Sequence, residues 1–348
     1  RTNEGGEYRI DGLFQGTYDV VPGTQGDLSP VPAYRTVVLD ETRAKGTADF
    51  QMSRGAVDSI HVTVSPDSIH SLGANTQVTV EAFDSLGNPM AGRTTTYVST
   101  NPAVATVDAT GKVTAVDNGS AWIRVTVESK LDSVRVTVDQ RAVSIQFREG
   151  DGPAPDSIRA LVQESIQLVY RARDAYDNAI PSAHRKPQFT AADATMIYVD
   201  TAAIAHVQPG KVGRTEITMT MDGASDILVV GVHGVRSGDL SLPGDLAVLA
   251  DSLYGKVMGS IRVDETSLTD LDALRTVWDV QGDVNIRDNP SLTNLAGMAG
   301  IETIGGTLRI KRNAALQTPS AGAGALREVG GAVKIWSNPQ ITNADVFG

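Results

Sequence analysis

From Val57 onward apolar and polar residues alternate over short runs: Ile60-His-Val-Thr-Val64, Gln77-Val-Thr-Val-Glu-Ala-Phe83, Ala121-Trp-Ile-Arg-Val-Thr-Val127 and Val134-Arg-Val-Thr-Val138. A period of two puts successive side chains on opposite faces, as in a half-buried strand. Turn formers separate the runs at Ser65-Pro66, Gly87-Asn88-Pro89, Asn101-Pro102, Gly111 and Asn118-Gly119. Seven or so short strands at this spacing predict a two-sheet sandwich. A second copy follows: Asp84-Ser-Leu-Gly-Asn-Pro89 is echoed by Asp174-Ala-Tyr-Asp-Asn178, Val104-Ala-Thr-Val107 by Ile204-Ala-His-Val207, and Gly111-Lys-Val113 by Gly210-Lys-Val212. Strand Val143-Ser-Ile-Gln-Phe147 places the Gly150–Asp156 stretch in a loop of this second module. Upstream, Tyr8 and Ile10, Thr17–Val20, Arg35–Leu39 and Thr47–Met52 predict four more strands.

The C-terminal part changes rhythm. Gly259-Ser-Ile-Arg-Val263 recurs as Gly282-Asp-Val-Asn-Ile286, Gly306-Thr-Leu-Arg-Ile310 and Gly331-Ala-Val-Lys-Ile335, at intervals of 23, 24 and 25 residues. Asn289, Asn313 and Asn338 stand seven residues after the last three glycines, with Leu292, Leu316 and Ile341 three further on; the first unit carries Thr266 and Leu268 instead. One strand per repeat of about 24 residues predicts a solenoid of four rungs, stacked about 4.8 Å apart. Ile261, Val284, Leu308 and Val333 form one inward column, and Val263, Ile286, Ile310 and Ile335 a second. The asparagines are expected to bond neighbouring backbone where the chain leaves the strand. Asp239–Leu253, with Leu242, Leu246, Leu249 and Leu253, predicts a short capping helix, and the protein is expected to continue past Gly348.

The fold class is therefore mainly β, tandem antiparallel β-sandwiches followed by a short right-handed parallel β-solenoid. The domains are expected at 1–54, 55–140, 141–236 and 237–348. Asn101-Pro-Ala-Val-Ala-Thr-Val-Asp108, Gly111-Lys-Val-Thr-Ala115 and Gly119 before a strand resemble the bacterial immunoglobulin-like group 2 family. That resemblance covers 57–139 and extends in divergent form over 142–233, where Gln188–Tyr198 departs from the pattern. Residues Gly6, Tyr8, Ile10, Gly12, Leu13, Gly16 and Tyr18 resemble the later half of a carboxypeptidase-regulatory-like (transthyretin-like) sandwich, which implies strands supplied from elsewhere. The C-terminal repeat resembles the receptor L domain, a leucine-rich-repeat-like solenoid whose relatives bind extracellular ligands of varied identity. The Ig-like resemblance implies spacer or adhesive modules with no shared catalytic residue.

Composition narrows the function. A net charge of -11 and a pI near 4.9 argue against nucleic acid as a partner. No apolar run reaches the roughly 18 residues of a membrane span, so no membrane insertion is expected. Cysteine is absent, which excludes disulfides and thiolate chemistry. His61, His70, His184, His206 and His233 show no metal-ligand spacing, and no nucleophile elbow, phosphate loop or dinucleotide fingerprint occurs. No metal, no cofactor and no enzyme activity are expected. Asp174, Asp177 and Asn178 offer oxygen ligands in one turn, the weak calcium candidate of the chain. Asn118-Gly119-Ser120 has the form of a glycosylation acceptor but reads better as a tight turn. The chain opens on Arg1, so any signal peptide is expected to be removed or to lie outside this sequence.

The expected protein is a non-enzymatic extracellular or cell-surface structural and adhesive protein of a bacterium. Ig-like modules form its stalk and the outward solenoid face its interaction surface. Two alternatives stand beside it: an accessory binding or spacer segment of a larger secreted enzyme, and a filament subunit assembled by β-strand addition. Along the rungs the outward positions read Arg262, Asn285, Arg309, Lys334 and Asp264, Arg287, Lys311, Trp336. Arg262, Arg287, Arg309, Lys311, Lys334 and Trp336 are thus the candidate binding residues, for a protein or polysaccharide at the cell surface, or for copies of the chain itself.

Overall fold

A computed structural model describes residues 7–23, 28–150, 152, 156–317 and 324–342. Gly6, the residues Asp151 and Pro153–Pro155 of the expected loop, and the chain end at Gly348 lie outside the described residues. The chain divides into two compact units, Arg1–Arg141 with Asp174–Asn178, and Ala142–Arg173 with Ala179–Gly348.

In the first unit, Gly16–Val20 pairs antiparallel with Arg35–Leu39, and Leu28–Val31 with Gln51–Arg54. The strand expected at Tyr8 and Ile10 does not form. An alternating run becomes a strand only where a neighbour takes its backbone groups, and here the Tyr8 hydroxyl instead donates to the Ala48 carbonyl at 2.5 Å. Ala48 is the one buried residue described before Gly55, while Phe14, Val21, Val31 and Tyr34 stay exposed.

Residues 57–138 form the expected sandwich. Ser59–Ser65, Asn75–Phe83, Lys112–Ala115 and Ala105–Val107 make one sheet; Ser68–Ile69, Lys130–Val138, Gly119–Val127 and Thr95–Ser99 make the other. Alternation decides which faces meet. Along Gly119–Val127 the residues Ala121, Ile123, Val125 and Val127 are buried, while Trp122 and Arg124 face out. Ala121, Ile123 and Val125 pack with Val62, Val78, Val113 and Val136 into one core, and Val127 with Val57, Ala82 and Met90 into a smaller one. Gly111, at φ +80°, closes the turn Asp108–Lys112, a conformation costly for any residue with a Cβ.

The second unit opens with a sandwich around Phe147, Ile197, Ile217, Met219 and Val230. The divergent stretch contributes Gln188–Ala191, which pairs with Gly213–Met221, and Ile197–Val199, which pairs with Ile204–Val207. Its longest strand, Ala224–Arg236, pairs with Gly213–Met221 and Ser157–Leu161 and then, past a bulge at Gly234, runs parallel to Tyr254–Val257. The sandwich sheet thus passes without a break into the solenoid, through Asp279–Val280, Thr303–Ile304 and Glu328–Val329.

The solenoid's other wall is a parallel ladder of five strands: Leu240–Leu242, Ile261–Asp264, Val284–Arg287, Leu308–Lys311 and Val333–Trp336. This adds one strand to the four expected. Gly238-Asp-Leu-Ser-Leu242 already has the repeat's spacing, so it stacks on Ile261–Val263 rather than starting a helix. The helix expected over Asp239–Leu253 is confined to Leu246–Ser252. Both expected inward columns are buried through the first three expected rungs; at the fourth, Ile335 is partly covered and Val333 is 48% exposed. Glycine opens each rung because the neighbouring backbone is too close for a side chain. A Cβ on Gly282 would lie 2.7 Å from the Gly259 carbonyl oxygen, and one on Gly331 2.9 Å from that of Gly306.

Candidate functional site

The outward residues of the ladder are placed by its register. Arg262, Asn285, Arg309 and Lys334 pair in sequence across successive strands, as do Asp264, Arg287, Lys311 and Trp336. The six candidate binding residues therefore share one face. The arginines there are not free charges. Arg262 pairs with Asp239 at 3.1 Å, Arg287 with Asp264 at 3.0 Å, and Arg309 with Asp283 at 2.6 Å, each acid coming from an earlier rung. Backbone contact with Thr307 and the Arg309 guanidinium hold the Asp283 carboxyl below its usual range. Lys311 lies 5.5 Å from the Trp336 ring centroid. Lys334 has no ion pair among the described residues. Lys311, whose charge also acts on the Asp288 carboxylate, and Lys334 thus stand beside an indole that is 42% exposed.

Behind this face runs an amide ladder. The Asn289 side chain donates to the Val263 carbonyl at 2.7 Å, that of Asn313 to Ile286 at 3.1 Å, and that of Asn338 to Ile310 at 3.0 Å. Each side-chain oxygen accepts from the rung before: Asn289 oxygen from Thr266 N–H at 3.0 Å, Asn313 oxygen from Asn289 N–H at 3.1 Å, Asn338 oxygen from Asn313 N–H at 2.9 Å. Residues Glu265, Asp288, Arg312 and Ser337 just before them all have φ between 54° and 58°, so the same left-handed turn recurs in each rung.

The calcium candidate has another use. Asp174 is buried, and its carboxylate accepts from Leu72 N–H at 2.9 Å, Gln140 Nε2 at 3.0 Å, and the Tyr176 and Asn178 N–H groups. Burial alone raises its pKa, but the hydrogen bonds from Gln140, Leu72, Asn178 and Tyr176 outweigh it and hold the group below the usual carboxylate range. Oxygens already ringed by N–H donors offer no seat to a cation. Among the described residues no group of three or more acids and histidines is arranged for a metal. The echoing turn at Asp84 is closed within itself, by Leu86 N–H, Asn88 N–H and the Asn88 amide.

Sequence reading missed one polar relay. His206 bonds to the Ser165 hydroxyl through Nδ1 at 3.1 Å and to Asp200 through Nε2 at 3.1 Å, and its ring stacks on Tyr198 at 4.7 Å. Ser165, Tyr198 and His206 face each other across three adjacent strands, a pairing that only the fold creates. An open cleft of 940 Å³ adjoins it, lined by Tyr170, Phe189, Lys186 and Asp200 among others; Ser165 and His206 do not reach that cleft. The bond between Ser165 and His206 ties Ser165–Gln167 to Ile204–Val207. A second cluster sits beside the solenoid: Arg159 lies over Trp278 at 4.8 Å and pairs with Glu302, and His233 meets the Trp278 edge. Burial keeps the His233 pKa below its ordinary value.

The family model for the bacterial Ig-like domain (group 2) matches residues 56–138. No curated protein matches the chain. Among solved structures, the chain is similar to the Escherichia coli adhesin FdeC, at 17% identity over 60% of this chain and 74% of that one, with a TM-score of 0.33. It is similar to the Yersinia pseudotuberculosis adhesin InvE at 17% identity, over 50% of this chain and 58% of that one, TM-score 0.30. It is also similar to domains 1–6 of the surface layer protein SbsC at 16% identity, TM-score 0.26; that match covers 67% of this chain but spans only 37% of that one. No helix among the described residues is long and apolar enough to cross a membrane.

Proposed function

We propose that the chain is a non-enzymatic structural and adhesive protein of the bacterial cell surface or extracellular space. Its Ig-like modules serve as stalk, and the outward solenoid face, resembling that of a receptor L domain, is the contact surface. The observation that carries this reading is the ladder face itself: Arg262, Arg287, Arg309, Lys311, Lys334 and Trp336 in register on one parallel sheet. The bacterial Ig-like match over 56–138 supports the surface setting. Parallel ladders with aligned side chains suit extended partners, and the cations Lys311 and Lys334 favour anionic ones, a surface polysaccharide or an acidic protein.

The test compares the full chain with R309S/K311S/K334S for binding to bacterial cells and to arrays of acidic glycans. Exposed ion pairs contribute roughly 0–1 kcal/mol, so the variant keeps its fold. Binding should fall in the variant and weaken between about 50 and 300 mM salt, where screening takes hold. Unchanged binding in both comparisons removes this face from the function.

A second reading, a filament subunit completed by strand addition, is favoured by one feature. Phe14, Val21, Val31 and Tyr34 are exposed in a segment whose sheets have two strands each. Concentration-dependent growth of filaments by the full chain, abolished by F14S/V31S, would support it.

A further inference from the structure

We propose that the cleft of the second sandwich is a binding site for a sugar unit bearing a carboxylate, such as a hexuronic acid of an acidic polysaccharide. The site is separate from the outward face of the solenoid and does not depend on it.

The two sandwiches build the same turn twice. In the first, the Asp108 carboxylate accepts from Thr110 N–H at 2.8 Å and Lys112 N–H at 3.1 Å, and the Gly111 carbonyl from Val78 N–H at 2.9 Å. In the second, Asp200 accepts from Ala202 and Ile204 N–H, both at 2.9 Å, and the Ala203 carbonyl from Leu168 N–H at 2.9 Å. The side-chain amides of Gln77 and Gln167 donate to matching carbonyls, Val78 and Thr110 in one case, Leu168 and Ala202 in the other. Ala203, and not Gly210, therefore stands where Gly111 does. At φ +62° it holds a conformation that favours glycine.

That methyl group changes what lies over the turn. Tyr97, opposite Val125, and Phe189, opposite Met219, hold the same place on the edge strand of their sheets. A Cβ on Gly111 would lie 2.9 Å from the Tyr97 ring, so glycine lets the tyrosine cover the turn. Ala203 carries that Cβ, and Phe189 packs instead near Phe147 and Tyr170, with ring centroids at 6.3 and 6.1 Å. Both Ala203 and Phe189 line the 940 Å³ cleft, which opens where Tyr97 covers the first sandwich. Non-glycine residues in the left-handed region are held at a cost, and they gather at binding sites.

The lining suits a sugar. Clefts of about 300–1,000 Å³ with aromatic walls and a few polar groups are the usual form of small-ligand sites. Phe189 and the half-buried Tyr170 offer ring surface to the C–H face of a pyranose. The Tyr170 hydroxyl has no hydrogen-bond partner among the described residues, and the Gln188 amide both donates and accepts, as a sugar hydroxyl does.

Charge selects the acid. Lys186 and Arg171 also line the cleft, and neither has an ion pair among the described residues. Asp200 is the single acid of the lining, and its oxygens are engaged by the Ala202 and Ile204 N–H groups and by His206 Nε2 at 3.1 Å. A ligand carboxylate gains charge-assisted bonds from those cations, which a neutral sugar leaves unpaired.

The test follows amide shifts of the isotope-labelled full chain titrated with cellobiuronic acid, in which glucuronic acid is linked to glucose. Cellobiose is the uncharged control. The acid should saturate in the millimolar range, shift amides of 167–172, 186–190 and 199–203, and bind about tenfold more tightly than cellobiose. K186S should weaken the acid and leave cellobiose unchanged. F189Y/A203G, which restores the pairing of Tyr97 with Gly111, should abolish binding of both sugars. T201W, at an exposed position of the lining, should block the cleft without touching the core. No shifts in these segments at tens of millimolar sugar, equal affinity for cellobiose, or undiminished binding by both F189Y/A203G and T201W overturns the proposal. R309S/K311S/K334S should bind the acid as the parent does; loss of binding in that variant would overturn the proposal by placing the sugar on the solenoid face.

Discussion

The side-chain oxygen of Asn338 accepts two hydrogen bonds from Asn313, one from its backbone N–H at 2.9 Å and one from its side-chain amide at 3.1 Å. The same double bond joins Asn289 to Asn313, at 3.1 and 3.0 Å. One buried amide per rung therefore ties the turn of the rung before it to the rung that follows.

Replacing Asn313 by Ala should strip Asn289 of its acceptor and the Ile286 carbonyl of its donor. Unsatisfied buried groups cost about 1–3 kcal/mol each, so the rungs around it should lose several kcal/mol. Hydrogen exchange checks this locally: amides of 284–310 should exchange faster while those of 59–138 stay protected. Equal protection in variant and parent would show that the amide ladder is dispensable.

Much of this was readable from the chain. The period-two runs gave the sandwich around Ile123 and Val136, and the glycine spacing gave the columns through Ile286 and Ile310. The second solenoid wall was missed although its signal was present. Val257, Val280, Ile304 and Val329 stand two residues before the repeat glycines, but three of their four strands have two residues, too short for alternation to register. The ion pairs of the candidate face were also illegible. Asp239, Asp264 and Asp283 lie one or more rungs from their arginines, and a sequence does not display which charges share a face until the coil is closed.

Asp174 makes a pH-dependent contribution whose sign is set. Its folded pKa is depressed by the hydrogen bonds that overcome burial, so its stabilisation is present above the unfolded carboxylate value of about 3.9 and lost as pH falls through the folded one. Thermal melts of the parent and D174N should therefore differ at pH 7 and pH 5, and the difference should begin to shrink only as pH falls below about 3.9 towards the lower folded pKa. Millimolar calcium should leave the parent's melting temperature unchanged; a rise that D174N removes would contradict the hydrogen-bonded role.

Ser165, His206 and Asp200 hold strands together, and their variants should read as stability changes alone. S165A should cost about 0.5–1.5 kcal/mol, the ordinary worth of one hydrogen bond. Hydrolysis of a fluorogenic ester should stay at the buffer rate in parent and variant alike. Turnover in the parent that S165A abolishes would make the relay a nucleophilic site after all.

In the proposed function, contact with the cell surface is made by the outward face of the solenoid. Hydroxyl-radical footprinting of the full chain on bacterial cells reads this residue by residue. Protection should fall on Trp336 and its neighbours Lys311 and Lys334, with exposed Trp122 of the first sandwich as reactive as in the free chain. Protection centred on residues 57–138, with Trp336 still fully reactive, would place the contact on the Ig-like module instead.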